Sequence, residues 1–125
     1  FLVFADADLE AAVAGAMIAK IRHNGEACTA ANRLYVEEAV AEAFTDKLAR
    51  AMGELVMGNG LEAGVQVGPL VDQATHAKVC RLVDAALAHG AEARLGGRPP
   101  GGPGYFYPPT VLAGVRPDSP ILAEE

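Results

Sequence analysis

The stretch Phe1-Leu2-Val3-Phe4-Ala5-Asp6-Ala7-Asp8-Leu9-Glu10 sets the fold. Its four leading apolar residues read as a strand, and Asp6 and Asp8 then offer N-cap oxygens and favourable charge for a helix start. Leu9, Val13, Met17 and Ile21 recur at every fourth position, one apolar stripe of an amphipathic helix that Gly25 ends. Asn32-Arg33-Leu34-Tyr35-Val36 reads as the next strand, with Val40, Phe44 and Leu48 marking a second helix behind it.

Further along, residues 53–70 are Gly-rich, contain Gly68-Pro69, and read as a connecting loop. Asp72 caps a third helix carrying Val79, Leu82, Val83, Ala86 and Leu87, which Gly90 stops. Residues 91–95 are a short strand candidate. Residues 96–104 hold five glycines and three prolines and form no regular element. Residues 105–115 read as extended, confined by Pro108 and Pro109 to a sheet edge or a bend. Helices alternating with strands at this spacing imply βαβ units, so the expected class is α/β, a three-layer αβα arrangement on an open, mostly parallel sheet.

At 125 residues the chain is long enough for one domain with a real core and too short for two full-sized ones. The formal net charge is −6 and the ten Lys and Arg residues are scattered, which argues against a nucleic acid or an anionic membrane as partner. Two cysteines, Cys28 and Cys80, are too few for a secreted disulfide scaffold. A disulfide between them stays open on sequence alone, but two free thiols in a reducing cytoplasm is the expected state. No leader and no apolar stretch of membrane-spanning length is seen. No His/Cys cluster has metal-ligand spacing, so no metal site is expected. Glu37, Glu38, Glu42 and Asp46 read as the solvent side of the second helix. Both ends look like cuts through a longer polypeptide, and the expected unit of function is larger than this chain.

Cys28 follows a helix-stopping glycine by three residues and precedes a strand, a loop position where reactive groups are commonly displayed. A backbone N–H there can depress a thiol pKa and stabilise an oxyanion, and the small neighbours Gly25, Ala27, Thr29 and Ala30 leave room for a substrate. From spacing alone the commoner reading is a buried, inert small hydrophobe, since no His stands in an obvious dyad position. Cys80, one turn from Val83, reads as core packing.

The segment Asn24-Gly25-Glu26-Ala27-Cys28-Thr29-Ala30-Ala31-Asn32-Arg33 resembles the cysteine active-site signature of the aldehyde dehydrogenase superfamily, roughly G-Q-x-C, a small residue, then N-R before a strand. Residues 1–10 resemble the strand and helix start that come after that family's E-L-G-G-x-x-P motif. Val67-Gly68-Pro69-Leu70, Gly96-Gly97, the run Tyr105-Phe106-Tyr107-Pro108-Pro109-Thr110-Val111-Leu112 and Glu124-Glu125 are similar, in order, to its G-P-L, G-G, F-x-x-P-T-[VI]-L and E-E-x-F-G-P segments.

The resemblance implies that Cys28 is the nucleophile, attacking an aldehyde to give a thiohemiacetal and, after hydride transfer to NAD or NADP, a thioester that water hydrolyses. It implies that residues 1–125 are part of the catalytic domain, with the cofactor-binding domain, the Glu base and the Asn oxyanion donor outside the chain. The isolated chain is therefore expected to be inactive, and the longer protein a homodimer or homotetramer acting on a small-molecule aldehyde. Glu125 matches the residue that holds the nicotinamide ribose; its plainer reading is a solvated charge. Arg22, six residues before Cys28, matches an Arg that succinate-semialdehyde-oxidising members use to bind the substrate's distal carboxylate. The plainer reading of Arg22 is dipole complementarity in the last turn of a helix. Glu26 stands where the family usually has Gln and is expected to be structural. Arg33 is read as an anchor of the loop-to-strand junction, and His23 as an exposed or capping residue. Two alternatives remain beside this reading: a truncated, non-catalytic packing module, and a dehydrogenase for another semialdehyde or an uncharged aldehyde.

Overall fold

Strand β1 (Leu2–Val3) pairs in parallel with β2 (Tyr35–Val36), Leu2 opposite Tyr35 and Val3 opposite Val36. Parallel strands need a crossover, and helix α1 (Leu9–Ile21) supplies it. The computed structural model describes residues 1–124 and divides into two units, Phe1–Glu54 and Leu55–Glu125. Glu125 lies outside the described residues.

In the first unit the Asp8 carboxylate accepts from the Glu10 and Ala11 backbone N–H groups at 3.0 and 3.2 Å, which starts α1 where the sequence placed it. Helix α2 (Glu38–Gly53) buries Phe44, Leu48 and Met52, the expected stripe moved on by one turn with Val40 only half-buried, and packs on α1, which buries Val13 and Ala16. Phe44 is 1% exposed, a position where truncation to Ala typically costs about 3–5 kcal/mol. A Lys47–Glu10 ion pair joins the two helices at the surface.

The second unit holds helix α3 (Gln73–Ala88), capped by Asp72 as expected, its Oδ1 accepting from the Thr75 N–H at 2.7 Å. Leu82, Val83 and Ala86 are its buried face, and Gly90 ends it at φ +94°. Strand β3 (Glu92–Leu95) pairs with β4 (Val111–Ala113) antiparallel, with an irregularity between Ala93 and Leu95.

The α/β class holds, with parallel pairing in β1–β2 and in an isolated bridge between Met57 and Val67. The β3–β4 pair departs from the parallel expectation because a Gly/Pro-rich loop, not a helix, joins its strands. That pair is also shorter than the sequence suggested: Pro108 and Pro109 have no N–H to offer a ladder, and pairing resumes only at Val111.

Candidate functional site

The last helical residue of α1 is Ile21, and the chain then tightens into a 3₁₀ turn, Arg22–Gly25. Arg22 caps α1 with φ −50° and ψ 128°, so it lies just beyond the last helical turn in which the dipole reading placed it. His23 and Asn24 follow in the left-handed region at φ 53° and 57°, and Gly25 continues it at φ 79°. Left-handed backbone costs a non-glycine residue roughly 1–2 kcal/mol, less for Asn. Such strain persists only where surrounding contacts over-determine it, and it gathers at functional sites.

Several contacts fix this segment. The Glu26 N–H closes the turn on the His23 carbonyl at 2.9 Å. Lys20, on the last turn of α1, donates from Nζ to the Gly25 carbonyl at 3.3 Å and to Asn32 Oδ1 at 2.7 Å. The Ala31 N–H bonds back to the Ala19 carbonyl at 3.0 Å. Lys20 is half-buried, and burial lowers its pKa. It was not legible as a site residue; the available signal was a lone cation in the otherwise apolar helix end Met17-Ile18-Ala19-Lys20-Ile21.

Between these anchors Cys28 occupies the first central position of a tight turn closed by the Ala30 N–H on the Ala27 carbonyl at 2.8 Å. The side chain is exposed and its thiol free, so the plainer reading of Cys28 as a buried residue does not describe it. Among the described residues the Cys28 backbone N–H has no hydrogen-bond acceptor, which leaves it able to donate to a developing oxyanion. Arg22 and Cys28 both lie, exposed, on this one connection, and among the described residues the Arg22 guanidinium has no ion-pair partner. The Glu26 side chain is exposed and only its backbone is bonded. Arg33 meets the junction through its carbonyl, which accepts from the Phe1 amine at 3.0 Å.

Cys80 is half-buried and is more than apolar filling: its Sγ stands 3.8 Å from His76 Nδ1, one helical turn away. The other ring nitrogen of His76 is 3.2 Å from the Phe106 carbonyl, and the ring meets Tyr107 edge-on. Both cysteines are free, so the disulfide left open by the sequence is not formed. Among the described residues no cluster of three His, Cys, Asp or Glu could hold a metal, and no helix is long and apolar enough to cross a membrane. Glu125, the expected cofactor contact, falls outside the described residues.

None of the three described α-helices offers a dinucleotide the usual N-terminal cradle. Such a site wants a helix N-terminus open to pyrophosphate, yet α1, α2 and α3 each open on carboxylates, at Asp8, at Glu37 and Glu38, and at Asp72.

Over residues 1–125 the chain matches the aldehyde dehydrogenase family, and it belongs to that family. It is 54% identical to a succinate-semialdehyde dehydrogenase of Paenarthrobacter nicotinovorans, covering the whole of this chain and 28% of the relative. It is 48% identical to a glutarate-semialdehyde dehydrogenase of Pseudomonas aeruginosa, over the whole chain and 26% of that protein. Relatives at lower identity include succinate-semialdehyde dehydrogenases named for NADP(+), which supports a nicotinamide cofactor in the family. Among solved structures, succinate-semialdehyde dehydrogenase from Burkholderia pseudomallei superposes with a TM-score of 0.95 at 46% identity, over all of this chain and 26% of that one. The chain thus spans about a quarter of the length of the relatives it matches.

Proposed function

We propose that this chain is the nucleophile-bearing part of the catalytic domain of a longer aldehyde dehydrogenase that oxidises succinate semialdehyde with NAD or NADP in the cytoplasm. The observation that carries the reading is the display of Cys28. A small-residue turn, pinned on both sides and preceded by strained backbone, holds an exposed thiol with an unengaged N–H beside it.

The chemistry available here is one step. The Cys28 thiolate adds to the aldehyde carbon, the C–S bond forms, and the carbonyl π pair moves onto oxygen. The Cys28 N–H donates to that oxyanion, a contact worth most where water is excluded from the reacting centre. Arg22 grips the distal carboxylate of the substrate, for which a planar guanidinium is suited. The base, the second oxyanion donor and the hydride acceptor belong to the rest of the longer protein, in which subunits assemble as dimers or tetramers. The 125-residue chain by itself is expected to give no NAD(P)H with succinate semialdehyde.

Arg22→Ala in the longer protein is the test. If the rest of the longer protein desolvates the Arg22–carboxylate contact, removing the guanidinium costs on the order of 2–5 kcal/mol, felt in kcat/KM for the anionic substrate. Equal losses for succinate semialdehyde and an uncharged aldehyde would remove Arg22 from substrate binding. The glutarate-semialdehyde relative favours a second reading, a substrate one methylene longer held by the same guanidinium. A methylene is worth about 1–3 kcal/mol of discrimination, so the ratio of kcat/KM for the four- and five-carbon semialdehydes separates the two.

A further inference from the structure

We propose that Lys20 is a positioning residue for the nucleophile turn, its ammonium tying together the two chain segments that flank Cys28. The proposal rests on the reading of Cys28 as nucleophile and adds to it the group that fixes where the thiol stands.

One cation bridges the two ends of the turn. Lys20 Nζ reaches the Gly25 carbonyl at 3.3 Å on the side before Cys28 and Asn32 Oδ1 at 2.7 Å on the side after it. Its backbone neighbour adds a second tie, the Ala19 carbonyl accepting from the Ala31 N–H at 3.0 Å. Both ties come from the end of α1, so the turn is indexed to a helix rather than to a strand ladder, and β2 does not begin until Tyr35. The fit around the ammonium is close. A Cβ at Gly25 would stand 3.1 Å from Lys20 Cε, 3.1 Å from the Lys20 carbonyl oxygen and 3.3 Å from Nζ. Glycine at this position therefore serves the lysine's approach as well as the left-handed turn. Burial alone lowers the lysine pKa, by desolvating the ammonium; the bonds to the Gly25 carbonyl and Asn32 Oδ1 favour the charged form against it. The lysine acts through the Gly25 carbonyl and the Asn32 side chain that it holds.

Two measurements test this. In the 125-residue chain, Lys20→Met keeps the aliphatic stem and deletes the cation, and amide hydrogen exchange is followed at Glu26, Ala30 and Ala31, whose N–H groups close the turn. Exchange there should quicken about tenfold or more, the factor expected when charge-assisted bonds are removed from a local opening, while α2 stays unchanged. Lys20→Arg, which retains a cationic donor, should recover most of the protection, and Asn32→Ala should reproduce the loss by removing the other partner. Unchanged exchange in Lys20→Met and Asn32→Ala, or a rise spread evenly through residues 1–54, overturns the proposal.

In the longer enzyme, Lys20→Met should lower kcat for the aldehyde by about tenfold or more with KM within about twofold, and Lys20→Arg should restore it. A raised KM with kcat intact overturns the positioning role. If the unsubstituted enzyme oxidises no aldehyde, the proposed function falls, and the exchange measurement still decides whether Lys20 holds the turn.

Discussion

Gly96→Ala should be among the most damaging single-methyl additions in the second unit, and its magnitude can be worked from contacts. Gly96 has φ +67°, and a Cβ there would lie 2.5 Å from the Pro109 carbonyl oxygen, 2.6 Å from Thr110 Oγ1 and 3.2 Å from Thr110 Cα. The first and third are backbone atoms with no rotamer to escape into. Forcing the two segments apart is an overpacking cost of about 1–3 kcal/mol. It also breaks the bond from the Gly97 N–H to Thr110 Oγ1, 3.0 Å long and part-buried, for about 1 kcal/mol more. The left-handed backbone adds about 1 kcal/mol. Against these, alanine restricts the unfolded chain and returns about 0.4–1 kcal/mol. The net is a destabilisation of about 3 kcal/mol, a large part of what holds a domain of this size together.

Gly101→Ala is the matched control in the same loop: φ is +76°, and nothing lies within 4 Å of the added methyl. Strain and unfolded-state restriction nearly cancel there, leaving a change within about 0.5 kcal/mol. Urea unfolding followed by far-ultraviolet circular dichroism, with m unchanged, compares the two directly. Equal midpoints for the two variants would refute the reasoning, because they would show that Gly96 is needed only for its φ. The contact also explains why Gly96-Gly97 and the Pro109-Thr110-Val111-Leu112 run occur together in one chain: each is the other's packing partner.

Three further outcomes, at Tyr107 and Asp72, can be checked on the same protein. The Tyr107 hydroxyl is buried with no hydrogen-bond partner among the described residues, so Tyr107→Phe should be neutral or stabilising by about 1 kcal/mol at pH 7, and a loss larger than that would reveal a partner. Burial, with the neighbouring charges of Cys80 and Asp84, pushes its pKa from 10.0 up to about 12; the unfolded chain ionises first, so stability falls as pH rises through that window, and the Phe variant should lose this alkaline slope. The Asp72 carboxyl is held below its ordinary value chiefly by the Thr75 N–H, so its contribution is present above the unfolded pKa and is lost as pH falls through the folded one. Asp72→Ala should therefore lower Tm at pH 7, with the gap closing below about pH 4, and a gap that widens in acid would reverse the sign.

Helices were legible because their signals are local. Asp8 and Asp72 cap where their side chains predict, and the Phe44–Leu48 spacing finds the buried face of α2 without knowledge of what it packs on. Strand lengths were less so. Asn32 to Leu34 have strand-like neighbours, yet Asn32 is taken by Lys20 twelve positions earlier and Ala31 by Ala19, so pairing starts only at Tyr35. The position of Cys28 could be read from its segment, and the exposure of its thiol could not, because composition does not say which loops are tight. The left-handed backbone at His23 and Asn24 had only a weak signal: both residue types are enriched there, yet most of their occurrences lie elsewhere. The pairing of His76 with Cys80 was visible in principle as an i, i+4 spacing on one helix, but a polar neighbour at that distance is common and rarely meaningful.

The Lys20 clamp changes what the core of the first unit is for. An exposed turn of small residues has almost no packing of its own to fix it, so its geometry has to be borrowed. The lender is the C-terminal end of α1, through the Ala19 carbonyl and the Lys20 ammonium. That end is placed in turn by the packing of α1 on α2, with Val13 and Ala16 buried on one helix and Phe44, Leu48 and Met52 on the other. On this proposal the packing of α1 and the placement of the turn are linked in series, because both ties to the turn leave from the end of α1. If Cys28 is the proposed nucleophile, it must meet a carbonyl carbon in a narrow range of approach, so a shift of the turn would lower the rate while leaving the fold intact. The strained pair His23 and Asn24 sits where this connection leaves α1, between the helix-borne anchor and the surface turn that bears Cys28.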